Sequence, residues 1–81
     1  MDIKDARKQI DTIDAQLVNL FEQRLSIIKS IGKYKDEHHL PLIDEERDES
    51  IIALHTQNCK DKVLAPYVEN YIKTVVSMSN E

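Results

Sequence analysis

Arg24-Leu-Ser-Ile-Ile-Lys-Ser-Ile-Gly-Lys-Tyr-Lys35, followed after a short break by Asp44-Glu-Glu-Arg47-Asp48, is the stretch whose reading decides the fold. Ile3, Ala6, Ile10, Ile13, Leu17, Leu20, position 24, Ile27, Ile31 and Tyr34 run into and through it, spaced about three and four apart, as the seam of one long amphipathic helix does. Position 24 interrupts the apolar pattern with an arginine. A guanidinium keeps its charge, and burying it unpaired is costly, so Arg24 needs an anionic partner or a route to water. Lys35 lies about three turns further on, on nearly the same face, with Ile28 and Ile31 between. Two cations bracketing an apolar floor suit a small, partly apolar anion. The alternative is that Arg24 snorkels or pairs with an acidic residue such as Asp48 while Lys35 is solvated, and periodicity alone leans that way.

Working outward, Asp2 can cap the helix, Asp5 sits in its first turn, and nothing breaks the pattern before His38-His39-Leu40-Pro41. Proline disfavours helical geometry at Leu40, so the helix should end near Glu37 or His38. About 35 residues at ~1.5 Å each make a rod of roughly 50 Å, whereas a compact globule of this chain length is only about 30 Å across. The rod must overhang its own domain, and a second copy covering the overhang makes an intertwined homodimer. Val18, Phe21, Leu25 and Ile28 widen the seam enough for two partners. Gly32 inside the helix means either a close approach by backbone or ligand, or a tolerated cost of roughly 1 kcal/mol against alanine.

Leu40–Ile43 reads as a short extended connector, and Asp44 as the N-cap of a second helix running to about Asn58, with Ile51, Ile52 and Leu54 facing inward. A loop follows over Asn58–Lys62. Pro66 suits the first turn of a third helix whose apolar face is Val68, Tyr71, Ile72, Val75 and Val76, extended one turn by Ser79. The expected fold is all-α, a single domain over residues 1–81 built as a three-helix protomer with one very long N-terminal helix. No internal repeat, low-complexity segment or flexible linker interrupts it.

The chain of 81 residues carries a net charge of −4, which argues against nucleic acid or an anionic membrane as partner, so any anion site is a local cluster set against an acidic average. The single Cys59, with no signal-peptide pattern, points to a reduced, cytoplasmic setting. Arg7 lies about 25 Å along the helix from Arg24 and is turned roughly 100° from it, so the two cannot grip one small molecule within one chain. In an antiparallel dimer, Arg7 of one copy can approach Arg24 of the other; read alone, Arg7 is an exposed arginine. Adjacent His38 and His39 rarely converge on one ion, and no metal site is expected. Asp11 and Asp14 read as surface charges, and Cys59 lacks the surroundings of a nucleophile. Phosphate loops, nucleophile elbows and nucleic-acid motifs are absent, so the chemistry falls to fixed charges.

Arg7-Lys-Gln-Ile-Asp-Thr-Ile-Asp14, Leu17 to Leu20, Arg24, Ile31-Gly32-Lys33-Tyr34-Lys35, Leu40-Pro41, Asp44 and Arg47-Asp48 together give the chain a resemblance to the all-helical chorismate mutase family. Each piece is ordinary alone; order and spacing make the match specific, and the third helix is its weakest part. The resemblance implies an intertwined homodimer that rearranges chorismate to prephenate, the shikimate-pathway branch toward phenylalanine and tyrosine, without metal or cofactor. Carried over by position, Arg24 and Arg47, with Arg7 from the other chain, would bind the two carboxylates. Lys35 would donate to the ether oxygen, Asp48 would hold the ring hydroxyl, and Ser79 would assist with a carboxylate. Ile31, Ile51 and Val76 would wall the ring, and Asp44 joins this substrate-binding set. The catalytic weight would fall on Lys35, Arg24 and Arg7.

The chain departs from the family pattern twice. Asp48 stands where glutamate is usual. A second ether-oxygen donor, glutamine or protonated glutamate, is expected about four residues after the serine, and the sequence stops at Glu81, two residues after Ser79. Truncation, a folded-back Glu81 or reliance on Lys35 alone would each account for it. Two other readings stay open: an isochorismate pyruvate lyase on the same scaffold, and a catalytically silent helical dimer that binds or regulates.

Overall fold

The computed structural model describes residues 2–80. Its elements are α1 (Ile3–Glu37), α2 (Glu45–Gln57), a 3-10 turn (Lys62–Leu64) and α3 (Ala65–Met78), with no strand among the described residues. None of these helices is long and apolar enough to cross a membrane. The protomer measures 54 × 25 × 15 Å, with a radius of gyration of 15.9 Å. A globular chain of this length is expected near 12 Å, and the excess is α1.

Local chemistry sets both ends of α1. The Asp2 carboxylate accepts from the Lys4 N–H at 2.9 Å and starts the helix. At the other end His39 takes a left-handed φ of 55°, and the Leu40 N–H reaches back to the Lys35 carbonyl at 2.8 Å. That is a Schellman-type stop, made here by histidine where glycine is usual. His38 closes the last turn, its Nδ1 2.8 Å from the Tyr34 carbonyl and its ring stacked on Tyr34. The following connector lacks regular structure, and Asp44 then caps α2 by accepting from the Arg47 N–H at 3.0 Å.

α2 and α3 pack against each other, and the buried apolar side chains among the described residues, Ile51, Val75 and Val76, all belong to these two helices. Leu54, expected to face inward, is 51% exposed. The loop expected over Asn58–Lys62 runs into a 3-10 turn at Lys62–Leu64, capped by Asp61, whose carboxylate accepts from the Val63 N–H at 3.0 Å. Pro66 lies in the first turn of α3.

The side of α1 turned toward the rest of the chain is the line Phe21, Arg24, Ile28, Ile31 and Lys35, partly buried and spaced three and four apart. The more obvious seam points elsewhere. Ile3, Ile10, Ile13, Leu20, Ile27 and Tyr34 are all more than half exposed, Ile27 at 63%. One helix therefore carries two apolar lines, and its own protomer covers only the second.

A Cβ built on Gly32 meets nothing within 4 Å. Of the two readings of this glycine, the protomer itself supplies no close approach, so Gly32→Ala is expected to raise stability in urea denaturation by about 0.5–1 kcal/mol. A loss instead would put atoms of another copy against this turn. Val76→Ala, at a side chain only 4% exposed, should cost about 1–2.5 kcal/mol in the same measurement.

Candidate active site

The C-terminal end of α3 assembles the site. Ser79 caps α3 and is itself buried, with its N–H near the Val75 and Val76 carbonyls at 3.1 and 3.3 Å. The Ser79 hydroxyl donates to the Val75 carbonyl at 2.6 Å and accepts from Arg24, whose Nη1 also donates to the Ser79 carbonyl at 2.6 Å. Arg24 is thereby held at the carbonyl end of α3, where the helix dipole favours a cation and terminal carbonyls lack intrahelical donors. In this conformation the Ser79 hydroxyl proton is committed to its own helix, so the serine serves first as the anchor of Arg24.

Eleven residues along α1, Lys35 stands in the helix's last turn and donates to the Leu42 carbonyl at 3.1 Å, which draws the connector back over it. Ile28, Ile31, Gly32, Lys35, Leu42, Ile43 and Asn80 enclose a cavity of about 350 Å³. Its wall is apolar except for one ammonium and one amide. Lys35 and Ile43 also border a second hollow running past Leu40 and Pro41 to Asp44, Glu45 and Glu46. Arg24 lines a neighbouring cleft with Leu17, Leu20, Phe21, His55, Tyr71, Ile72 and Val75. The expected single floor between two cations is thus divided: Ile28 and Ile31 belong to the Lys35 cavity, and Arg24 reaches it only through Ser79 and its neighbour Asn80.

Other residues named from the sequence take different positions. Ile51 in α2 and Val76 in α3 are buried, and Ile31 lines the Lys35 cavity. Asp44 acts as a helix cap. Arg47 is exposed in the first turn of α2, and Arg7 is exposed near the start of α1. Asp48 is partly buried, and its Oδ1 is shielded from water with no hydrogen-bond partner among the described residues. Asn80 is the residue that sequence reasoning missed. The orientation that satisfies its amide points the nitrogen at the Val76 carbonyl, 2.8 Å away, and at Asp48 Oδ2, 3.2 Å away. No periodicity could have signalled this, because Asn80 lies past the end of α3. Glu81, considered as a substitute donor, lies outside the described residues.

Comparison with known proteins fits this arrangement. A family model described as chorismate mutase type II matches residues 6–81. The chain belongs to the chorismate mutase type II family. Among relatives, the T-protein of Haemophilus influenzae is 32% identical over 82 residues, which cover 98% of this chain and 22% of that protein. The bifunctional chorismate mutase/prephenate dehydratase of Aquifex aeolicus is 36% identical over 50 residues, covering 62% of this chain and 14% of its own length. The chorismate mutase of Methanocaldococcus jannaschii is 30% identical over 59 residues, covering 73% of this chain and 60% of its own. The chain thus spans about a fifth of the T-protein it matches. No solved structure matches it. Within this chorismate mutase type II chain, the matched region takes in α1 from Ala6 onward, α2, α3 and every residue of the candidate site.

Ser79→Ala removes the hydroxyl acceptor from Arg24 and should lower stability by about 1–2 kcal/mol, as expected for a hydrogen bond to a partly buried charge. Arg24→Ala removes the whole anchor and should cost more. Equal urea midpoints for wild type and Ser79→Ala would show that the hydroxyl contributes nothing to the anchor.

Proposed function

We propose that the protein rearranges chorismate to prephenate, as a homodimer in which each site takes Arg7 from the other copy. The observation that carries this reading is the Lys35 cavity, a single ammonium set in an apolar wall beside the Arg24–Ser79 anchor. Chorismate is a dianion with a carbocyclic ring, an ether bridge and a ring hydroxyl. Cationic Arg24 and Arg47 answer its carboxylates, Ile31, Ile51 and Val76 its ring, Lys35 its ether oxygen, and Asp48 its hydroxyl, with Asp44 holding the turn that presents Arg47.

The rearrangement is pericyclic: the ether C–O bond breaks as a C–C bond forms, within one molecule and without a nucleophile or base. Two tasks remain for the protein. One is to hold the compact conformer in which the bond-forming carbons are close. The other is to stabilise negative charge that grows on the ether oxygen as its bond to carbon breaks. A fixed ammonium in an apolar wall suits the second task, because its attraction is least screened where water is displaced. Arg24 suits the first, being held by the Ser79 carbonyl and hydroxyl.

The homodimer rests on two physical points. The exposed seam from Ile3 to Tyr34 is an apolar line along a 54 Å molecule, and the three buried apolar side chains among the described residues make too small a core to hold a chain of this length by itself. Arg7 and Arg24 lie about 25 Å apart along α1, so a second copy has to bring Arg7 to the site. The single cysteine accords with work in the cytoplasm.

Purified protein mixed with chorismate should consume it and form prephenate, and loss of isochorismate instead, with release of pyruvate, would identify a lyase. Lys35→Ala should reduce kcat/KM at least about a hundredfold while sedimentation still reports a folded dimer. Unchanged activity would remove Lys35 from the chemistry. Arg7→Ala and Lys35→Ala should each be nearly inactive alone. Unfolded and refolded together, they should regain about a quarter of wild-type activity, since half the dimers are mixed and each mixed dimer holds one intact site. No recovery on mixing would place Arg7 within its own chain's site or outside any site.

A further inference from the structure

The contact between Asn80 and Asp48 has no part in the chemistry described so far, yet it joins two observations that ask for an explanation together. Asp48 is a carboxylate with one oxygen engaged and one oxygen, Oδ1, shielded from water and without a hydrogen-bond partner among the described residues. Asn80 engages the other oxygen while lining the Lys35 cavity.

A carboxyl group swings easily about its last torsion, so a lone acceptor of this kind offers a ligand no fixed target. Asn80 removes that freedom. Its amide has two N–H donors, and both are used: one on the Val76 carbonyl at 2.8 Å, the other on Asp48 Oδ2 at 3.2 Å. The first contact is to the backbone of a residue 4% exposed, so the amide is tied to the best-packed part of the protomer. The second passes that rigidity to the carboxylate. Oδ1 is left short of a donor in a place where water does not supply one, and such an acceptor destabilises the free protein.

Resting on the chorismate reading, we propose that Asn80 is a positioning residue which, by holding Asp48 Oδ2 and the Val76 carbonyl, orients the Asp48 carboxylate as the acceptor for the ring hydroxyl of the bound dianion. The pair then sets specificity: a ligand with a hydroxyl at that end meets the oriented carboxylate, and one without it leaves the carboxylate without a ligand donor. Asn80 also compensates for the short side chain at position 48, since one torsion fewer than glutamate and one fixed oxygen narrow where the acceptor can be.

The test is a double-mutant cycle of wild type, Asn80→Ala, Asp48→Ala and the double variant, each confirmed as folded by circular dichroism and assayed with chorismate. Asn80→Ala should lower kcat/KM about tenfold with Asp48 present and less than about twofold with Asp48→Ala, because a residue acting through another loses its effect when that other is gone. Asn80→Asp keeps the volume but supplies no N–H donor, and should do at least as badly as Asn80→Ala. Equal losses in both backgrounds, or wild-type kinetics from Asn80→Asp, would reduce Asn80 to a filler at the end of α3 and overturn the proposal. A reading independent of activity comes from nitrogen-15 NMR, where the Asn80 side-chain amide protons should shift and exchange faster in Asp48→Ala. An amide pair that does not move overturns the contact even where chorismate is consumed. If chorismate is not consumed at all, the proposed activity fails, while a moving amide still upholds the Asn80–Asp48 contact.

Discussion

Arg24 is the charge to which the rest of the protomer answers. A guanidinium on an apolar helix face cannot be neutralised, and its partial burial is stable only where acceptors are fixed around it. Those acceptors come from Ser79, whose carbonyl lies 2.6 Å from Nη1 and whose hydroxyl accepts from the same nitrogen. The contact spans 55 positions of sequence and pins the end of α3 to the middle of α1. Because α3 carries α2 with it, one polar anchor sets how the α2–α3 pair lies along the rod. It also decides which face of α1 the pair covers.

That choice explains how the two apolar lines of α1 divide their work. The line through Phe21, Arg24, Ile28, Ile31 and Lys35 contains both cations and is turned toward the rest of its own chain. The line through Ile3, Ile10, Ile13, Leu20, Ile27 and Tyr34 is almost purely apolar and stays exposed. If a second copy covers the exposed line, the polar, ligand-facing work and the apolar, assembly work fall on different sides of one helix. A helix of this length needs no further domain to do both.

The same division shows what was legible in the sequence and what was not. Helix ends were legible because they are local: Asp2, Asp44 and Pro66 each act on backbone groups within a turn of themselves, and Pro41 limits the residue before it. The family pattern was legible in the order of its charged and apolar residues. Which seam faced inward was not, because periodicity reports that a face is apolar and says nothing about which neighbour covers it. Leu54 was misplaced for that reason: it has the right spacing, and it is half exposed. The left-handed His39 and the 3-10 turn at Lys62–Leu64 escaped because neither carries the glycine or asparagine that marks a turn.

Several groups of the candidate site stand at element ends: Lys35 in the last turn of α1, Arg47 and Asp48 in the first turns of α2, Ser79 at the cap of α3 and Asn80 just beyond it. Helix ends expose backbone donors and acceptors that the helix cannot satisfy itself, so side chains placed there can be fixed by hydrogen bonds to main chain as well as by packing. Asn80 on Val76, Ser79 on Val75 and Lys35 on Leu42 are all fixed in this way. The proposed pericyclic reaction asks for charges that do not move rather than for groups that exchange protons. A protein with few buried side chains can meet that demand if it spends its backbone carbonyls on holding its cations and amides still. The small core and the fixed site are therefore compatible, because the rigidity that matters comes from helix termini, where polar anchoring needs little buried apolar area.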